Sequence, residues 1–253
     1  MKGIPRVNHN KMMKPKNVVT IDKELRDNNV LRRYLDMARF INFLRTKTLH
    51  LCRSDLFPDK FEGSFTLSVK EAIEVAYKKN RIKYNYDKFK KELREGVFIS
   101  CWSLGADDNM ALWRLYGKTN DCVAITTTVE RLRTTLNEFD VIGQLSLRKV
   151  QYIKHWRDPK IEIKPYSNLF RYKTVGYAFE NEVRVILDRH EKTFEATSKD
   201  EGIALPVNMQ KFLRSIVVSP ECSSWFKDVV KDIAYRYNVR CPIRNSSMSR
   251  QPI

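Results

Sequence analysis

Phe179-Glu180-Asn181-Glu182-Val183-Arg184-Val185-Ile186-Leu187 sets two carboxylates two positions apart at the head of an apolar, β-branched run. A run of this length and composition reads as a buried strand. Side chains at i and i+2 of a strand share a face, so Glu180 and Glu182 are expected to look into one cleft as a pair able to do chemistry together. Arg184, two positions further on, shares that face and is placed to neutralise one of them. A plain structural ion pair between Glu182 and Arg184 is therefore the competing reading.

Outward from that run, strands and helices interleave. Val30-Leu31-Arg32-Arg33-Tyr34-Leu35 is strand-like, and Asp36 is an N-cap candidate for a helix with Met37, Phe40, Ile41 and Leu44 on one face. Thr48 to Cys52 alternates as a strand before the loop Phe57-Pro58-Asp59-Lys60-Phe61-Glu62-Gly63. Ser68 with Glu71 forms a capping-box pattern, and the Lys-rich segment up to Gly96 reads as a helical insertion at about 66–96. Val97 to Ser103 is a strand, and Asp107 or Asp108 caps a helix bearing Met110, Trp113 and Tyr116. Cys122 to Thr126 is a buried strand, and Val150 to Ile153 is a strand candidate. A helix from about Ser167 to Tyr177 then leads to the two glutamates. After Leu187, Ile203 to Pro206 is expected at a sheet edge because of its proline. Ser215 to Ser219 is a buried strand, and Ser223 or Ser224 caps the last amphipathic helix. The absence of a regular βαβ repeat favours a mixed α+β sheet, with residues 1–20 a basic irregular arm and 21–253 one domain.

The 253 residues, 42% hydrophobic and 11% aromatic, are enough to bury a substantial core. Charge is the outlier: 47 Lys and Arg against 30 Asp and Glu give +17, a field that favours a polyanionic partner. Lys2 to Lys16 holds five basic residues and no acid, whereas Lys78 to Arg94 and Arg148 to Lys173 each hold eight against two. Nucleic acid is the expected partner. The five cysteines lack C-x-x-C spacing, which points to a reducing, cytoplasmic setting. The four histidines lack the spacing of a metal site. No apolar run reaches membrane-spanning length, so no membrane partner is expected. Nothing in the sequence speaks to oligomeric state.

Three elements carry chemistry if the fold unites them: Arg33 on the first strand, Ser100 and Ser103 on a middle strand, and Glu180 with Glu182. A guanidinium binds a pyrophosphate bidentately, a hydroxyl positions a ribose or an amide, and a carboxylate stabilises positive charge at an anomeric carbon. Together these groups suffice to break the N-glycosidic bond of NAD. Two other classes remain open. One is a non-catalytic nucleic-acid-binding protein with structural glutamates. The other is a metal-dependent nuclease drawing a further carboxylate from Asp59, Glu62 or Asp107.

Five blocks, Leu31-Arg32-Arg33-Tyr34, Leu49 to Gly63, Phe98 to Ser103, Met110 to Gly117 and Glu180 to Arg184, resemble a widespread family of bacterial and phage proteins. That family has an N-D-P-F-E-G loop, a C-[FW]-S strand, an M-W-x-x-Y-G helix and an E-x-E-x-R strand. Lys60 stands where the pattern has proline, and Leu112 where it has methionine. A weaker resemblance is to the Arg-Ser-Glu form of the ADP-ribosyltransferase superfamily. It implies an α+β, mixed or antiparallel split β-sandwich with flanking helices and NAD as substrate in a central cleft. On that resemblance Arg33 holds the NAD phosphates and Ser103 or Ser100 supports the nicotinamide ribose, S-C-W-S in place of S-T-S leaving the choice open. Glu182 favours the oxocarbenium-like state, Glu180 orients or deprotonates the acceptor, and Trp102, Trp113 or Tyr116 stacks on nicotinamide. The implied role is a toxin or phage-defence effector, with a neutralising antitoxin as an additional candidate partner.

Overall fold

The structure is a computed structural model describing residues 18–59, 61–190 and 200–250. Most of the basic arm lies outside the described residues. The first short strand, β1, is Thr20–Ile21.

The chain continues through β2 (Val30–Leu35), α1 (Met37–Thr46), β3 (Thr48–Arg53), α2 (Leu67–Lys78), α3 (Tyr86–Glu95), β4 (Val97–Leu104), α4 (Met110–Gly117), β5 (Val123–Thr128) and α5 (Val129–Asn137). Next come β6 (Gln144–Lys149), β7 (Gln151–Ile153), β8 (Tyr172–Thr174), β9 (Glu182–Asp188), β10 (Gly202–Pro206), α6 (Met209–Phe212), β11 (Ser215–Val218), α7 (Phe226–Arg236) and β12 (Ile243–Asn245). Ten strands form one mixed sheet in the order β1-β6-β9-β4-β2-β5-β11-β12, with β3 also on β4 and β10 on β3, while β7 and β8 pair separately. β1 with β6 and β11 with β12 are parallel, and the other pairs of the large sheet are antiparallel. The architecture is α+β, a mixed sheet with flanking helices.

β9 lies between β4 and β6 and is buried along its whole length; Val183, Val185 and Leu187 fill the core on one face, while Glu182 and Arg184 alternate with them on the other, beside Ile186. One face of the sheet packs the large core of Leu31, Phe98, Trp102, Val183 and Val185 against α1, α5 and α7. The other packs Ile99 and Ile186 with Leu93, Leu169 and Phe170. Among the described residues β10 pairs only with β3, so Pro206 sits in an edge strand.

One edge of β4 is shared by two partners. Phe98 and Ile99 pair with Arg53 and Cys52 of β3, whereas Ser103 and Leu104 pair with Arg32 and Leu31 of β2. β2 and β3 part from each other there, and Ser100, Cys101 and Trp102 face the gap without a strand partner on that side. α1 wedges the two strands apart: Asp36 caps it by accepting the Arg39 amide at 2.8 Å, and Phe40, Phe43 and Leu44 anchor it in the core.

Several local expectations are corrected. The segment 167–177 is not a helix but two short 3-10 turns, Tyr166–Arg171 and Val175–Glu180, separated by β8. Asn109, rather than Asp107 or Asp108, caps α4, and Trp225 rather than a serine precedes α7. The loop 57–63 is fixed at its end by Gly63, whose φ of +60° is left-handed and whose added Cβ would lie 2.5 Å from Cε1 of the fully buried Phe170. Gly63→Ala is therefore expected to cost on the order of 3 kcal/mol, from left-handed strain and overpacking together. Urea denaturation measures it, and an unchanged midpoint would refute this account of the loop.

Candidate active-site cleft

The split between β2 and β3 opens into a cleft of about 130 Å3 lined on one side by Arg32, Arg33 and Arg39 and on the other by Tyr116, Glu180 and Glu182, with Cys101, Trp102 and Ser103 between them. Residues directly opposite each other in an antiparallel pair share a face. Ser103 opposes Glu182 and Arg32 opposes Ser103, so these three share one face of the sheet. Arg33 starts on the other face together with Ser100, its Nη1 donating to Ser100 Oγ at 2.9 Å and to the His50 carbonyl at 3.5 Å, and it lines the cleft beside the gap.

Glu180 is not on the strand. It ends the 3-10 turn before β9, and Asn181 between the two glutamates adopts a left-handed conformation, φ 43°, which asparagine tolerates better than most residues. Asn181 is tied to the end of β4, its Nδ2 donating to the Leu104 carbonyl at 2.6 Å and its own carbonyl accepting the Leu104 amide at 2.8 Å. The two carboxylates still converge, because Lys173 Nζ donates to both, to Glu182 Oε2 at 3.1 Å and to Glu180 at still closer range. Tyr116 OH donates to Glu180 Oε1 at 2.7 Å.

Behind Glu182 lies Arg184, only 1% exposed, with its Nε donating to Glu182 Oε1 at 2.8 Å. Its other end forks onto Glu62, Nη2 to Oε2 at 3.0 Å with Nη1 in close contact with Oε1, and Nη1 also donates to the Phe170 carbonyl at 2.7 Å. Three carboxylates and two cations thus form one buried chain that carries one net negative charge when all five are ionised. Burial alone would raise the Glu182 carboxyl, but Arg184 and Lys173 outweigh it and hold Glu182 at about 2. Burial pushes Glu62 upward against the pull of Arg184. Burial and then Glu180 raise the Tyr116 phenol, and burial with the nearby glutamates holds Tyr152 at about 12. The Glu182 amide donates to Tyr152 OH at 2.8 Å. Burial, then Glu182, keeps Cys101 a thiol, which is no activated nucleophile.

Arg33 has no carboxylate at ion-pair distance among the described residues, and burial, reinforced by Arg39, lowers its guanidinium from the usual arginine range. A half-buried cation without an acid partner is an anion site in waiting. A second hollow of about 80 Å3, lined by Asn42, Phe43, Thr48 and Leu49, shares Arg33, Leu35 and Arg39 with the cleft.

Of the residues singled out in the sequence, Arg33, Trp102, Ser103, Tyr116, Glu180 and Glu182 line the cleft. Ser100 is buried beneath it as the acceptor for Arg33. Trp113 lies elsewhere, edge-on to Tyr34 at 4.8 Å with its Nε1 donating to Asp108 Oδ2 at 2.8 Å. Ser246 and Ser247 donate to the same Asp108. Sequence reasoning missed Lys173, Tyr152 and Arg39. The carboxylates Glu62, Glu180 and Glu182 are interleaved with Arg184 and Lys173, and no group of three or more His, Cys, Asp or Glu among the described residues is placed to hold a metal.

No protein-family model matches the chain, and no curated protein matches it. Two solved structures of Thermus sp. 2.9 DarT are similar at 9% identity, one in complex with ADP-ribosylated ssDNA and one with carba-NAD+. Their TM-scores are 0.40 and 0.39, with 88% and 87% of this chain covered and 95% and 96% of theirs. At that distance no residue role is carried over from them.

The buried charges make stability depend on pH in a stated direction. Glu182 is held at about 2 in the fold, against roughly 4.3 in an unfolded chain. Its stabilisation is therefore complete above about pH 4.3 and is lost as pH falls through 2. Urea midpoints measured from pH 5 down to 2 are expected to fall, with a shallower fall in Glu182→Gln. Equal slopes in the two proteins would refute the assignment.

Proposed function

We propose that the cleft binds NAD, breaks its bond between nicotinamide and ribose, and passes ADP-ribose to a macromolecular acceptor, nucleic acid being favoured. One observation carries the reading: a cationic wall and a carboxylate pair face each other in a single cleft. NAD has the matching polarity, an anionic pyrophosphate at its middle and a cationic nicotinamide ribose at one end. The adjoining hollow shares Arg33 and Arg39 with the cleft, which places it on the side where the other half of a dinucleotide lies in this reading.

In this reading Arg33 holds the pyrophosphate and Ser103 supports the nicotinamide ribose. The C1′–N bond breaks with its electron pair leaving on nicotinamide, and the positive charge left on the ribose is stabilised by Glu182, whose ionised form Arg184 and Lys173 maintain. The acceptor attacks C1′ and gives its proton to Glu180, which Tyr116 and Lys173 orient. Tyr116 flanks the nicotinamide, and Trp102, buried in the core, forms only the floor of the cleft. The setting proposed is cytoplasmic, in a toxin or phage-defence effector, for which a neutralising protein is a further candidate partner.

Glu182→Gln keeps the side-chain shape and is expected to lower nicotinamide release at least 100-fold, the scale of removing one electrostatic stabiliser. Arg33→Gln should instead raise KM for NAD about tenfold or more, since it removes a phosphate contact far from the breaking bond. Nicotinamide release with DNA, RNA and protein offered in turn, together with a melting curve for each variant, is the measurement. Undiminished release in a folded Glu182→Gln would end its assigned role. The ion pair of Glu182 with Arg184 favours a second reading, a non-catalytic nucleic-acid-binding protein. That protein would release no nicotinamide with any acceptor.

A further inference from the structure

The two-stranded β7–β8 ribbon joins the acidic end of the cleft to a basic ledge whose residues do not line the cleft. Tyr152 of β7 accepts the Glu182 amide, and Lys173 of β8 bonds both glutamates. The chain leaving β7 exposes Lys154, Trp156, Arg157, Lys160 and Lys164 in succession. None of these four cations forms an ion pair with a described residue. Of the two acids in the segment, Asp158 is turned toward the start of α2, accepting the Ser68 amide at 3.1 Å and its hydroxyl at 3.2 Å, and Glu162 remains exposed.

Trp156 is 65% exposed, and it makes no ring contact among the described residues. It is held in place by its neighbour, because His155 is buried and stacks on Phe61 with centroids 5.0 Å apart. A large indole standing in water amid unpaired cations, on a firmly seated turn, is what single-stranded nucleic acid binds: stacking for a base and charge for the backbone. A duplex, whose bases are already stacked, gains nothing from the indole. Trp156 is four residues beyond Tyr152, hence within about 14 Å of it along the chain.

The geometry points to the ledge as the track for a single-stranded acceptor, with Trp156 stacking a base and Lys154 and Arg157 on the phosphates flanking it, so that a neighbouring nucleotide reaches Glu180. The track rests on the proposed transfer only for its purpose. Binding of the strand is independent of NAD, and is measured without it.

The test uses the full chain and fluorescein-labelled single-stranded oligonucleotides, DNA and RNA of mixed sequence, read by anisotropy across salt concentrations, with a DNA duplex of the same length alongside. Trp156→Ala, at an exposed position, is expected to weaken single-strand binding about tenfold and leave duplex binding unchanged. Lys154→Ala with Arg157→Ala should lower the slope of log K against log salt by about 1.4, two phosphates' worth for a single strand. Acceptor-free nicotinamide release should be unchanged in both. Absence of single-strand binding, less than a twofold effect of Trp156→Ala, or equal loss on the duplex would overturn the ledge. A chain that binds strands through Trp156 but never releases nicotinamide would sink the transferase reading and leave the ledge standing.

Discussion

A guanidinium buried between two carboxylates holds this molecule's arrangement together. Arg184 cannot remain charged in the interior without partners, and it draws them from two distant places: Glu182 from its own strand and Glu62 from the loop before α2. Satisfying Arg184 forces that loop against the sheet, where Gly63 and Phe170 close the contact. Lys173 continues the alternation to Glu180. The carboxylate end of the cleft is thus made of the same charges that hold loop, ribbon and sheet together, so binding chemistry and conformational stability rest on one set of contacts.

The sequence made the strands legible where burial dictates composition. β5 and β11 are interior and carry β-branched apolar residues, β9 carries such residues between its charges, and Pro206 marked an edge. The gathering of Arg33, Ser103 and the glutamates was legible as residue types, but their routes were not. Asn181 turns the backbone left-handed and takes Glu180 off the strand, so the period-2 argument reached the right neighbourhood by the wrong path. Glu62 and Arg184 are 122 positions apart, and a partnership of that span leaves no local pattern. Lys173 was hidden inside a basic cluster whose other members are mostly solvated. Trp113 and Tyr116, three apart on α4, are separated by only about 60° around the axis, yet that angle decides which packs on Tyr34 and which opens to the cleft.

The polarity of the cleft and the charge of the whole chain address different partners. The excess of 17 positive charges sets a long-range attraction for polyanions, whereas the cleft carries both signs within one small volume. A small zwitterionic ligand suits the second, a polymer the first, and the β7–β8 ribbon is where the two surfaces meet. Arg32, on the face of Ser103 and Glu182, donates to the Ala106 carbonyl at 2.6 Å, and Arg33 to Ser100 and the His50 carbonyl; both guanidiniums thus bond only neutral oxygens among the described residues.

The shared edge of β4 has a bearing on how the molecule comes into being. Its three neighbours are supplied by residues 30–35, 48–53 and 182–188, and the loop following it is fastened by serines 246 and 247. A chain emerging from the ribosome, amino end first, presents the Arg33 guanidinium early and the acidic doublet late, so the hollow keeps a single wall until β9 docks beside β4.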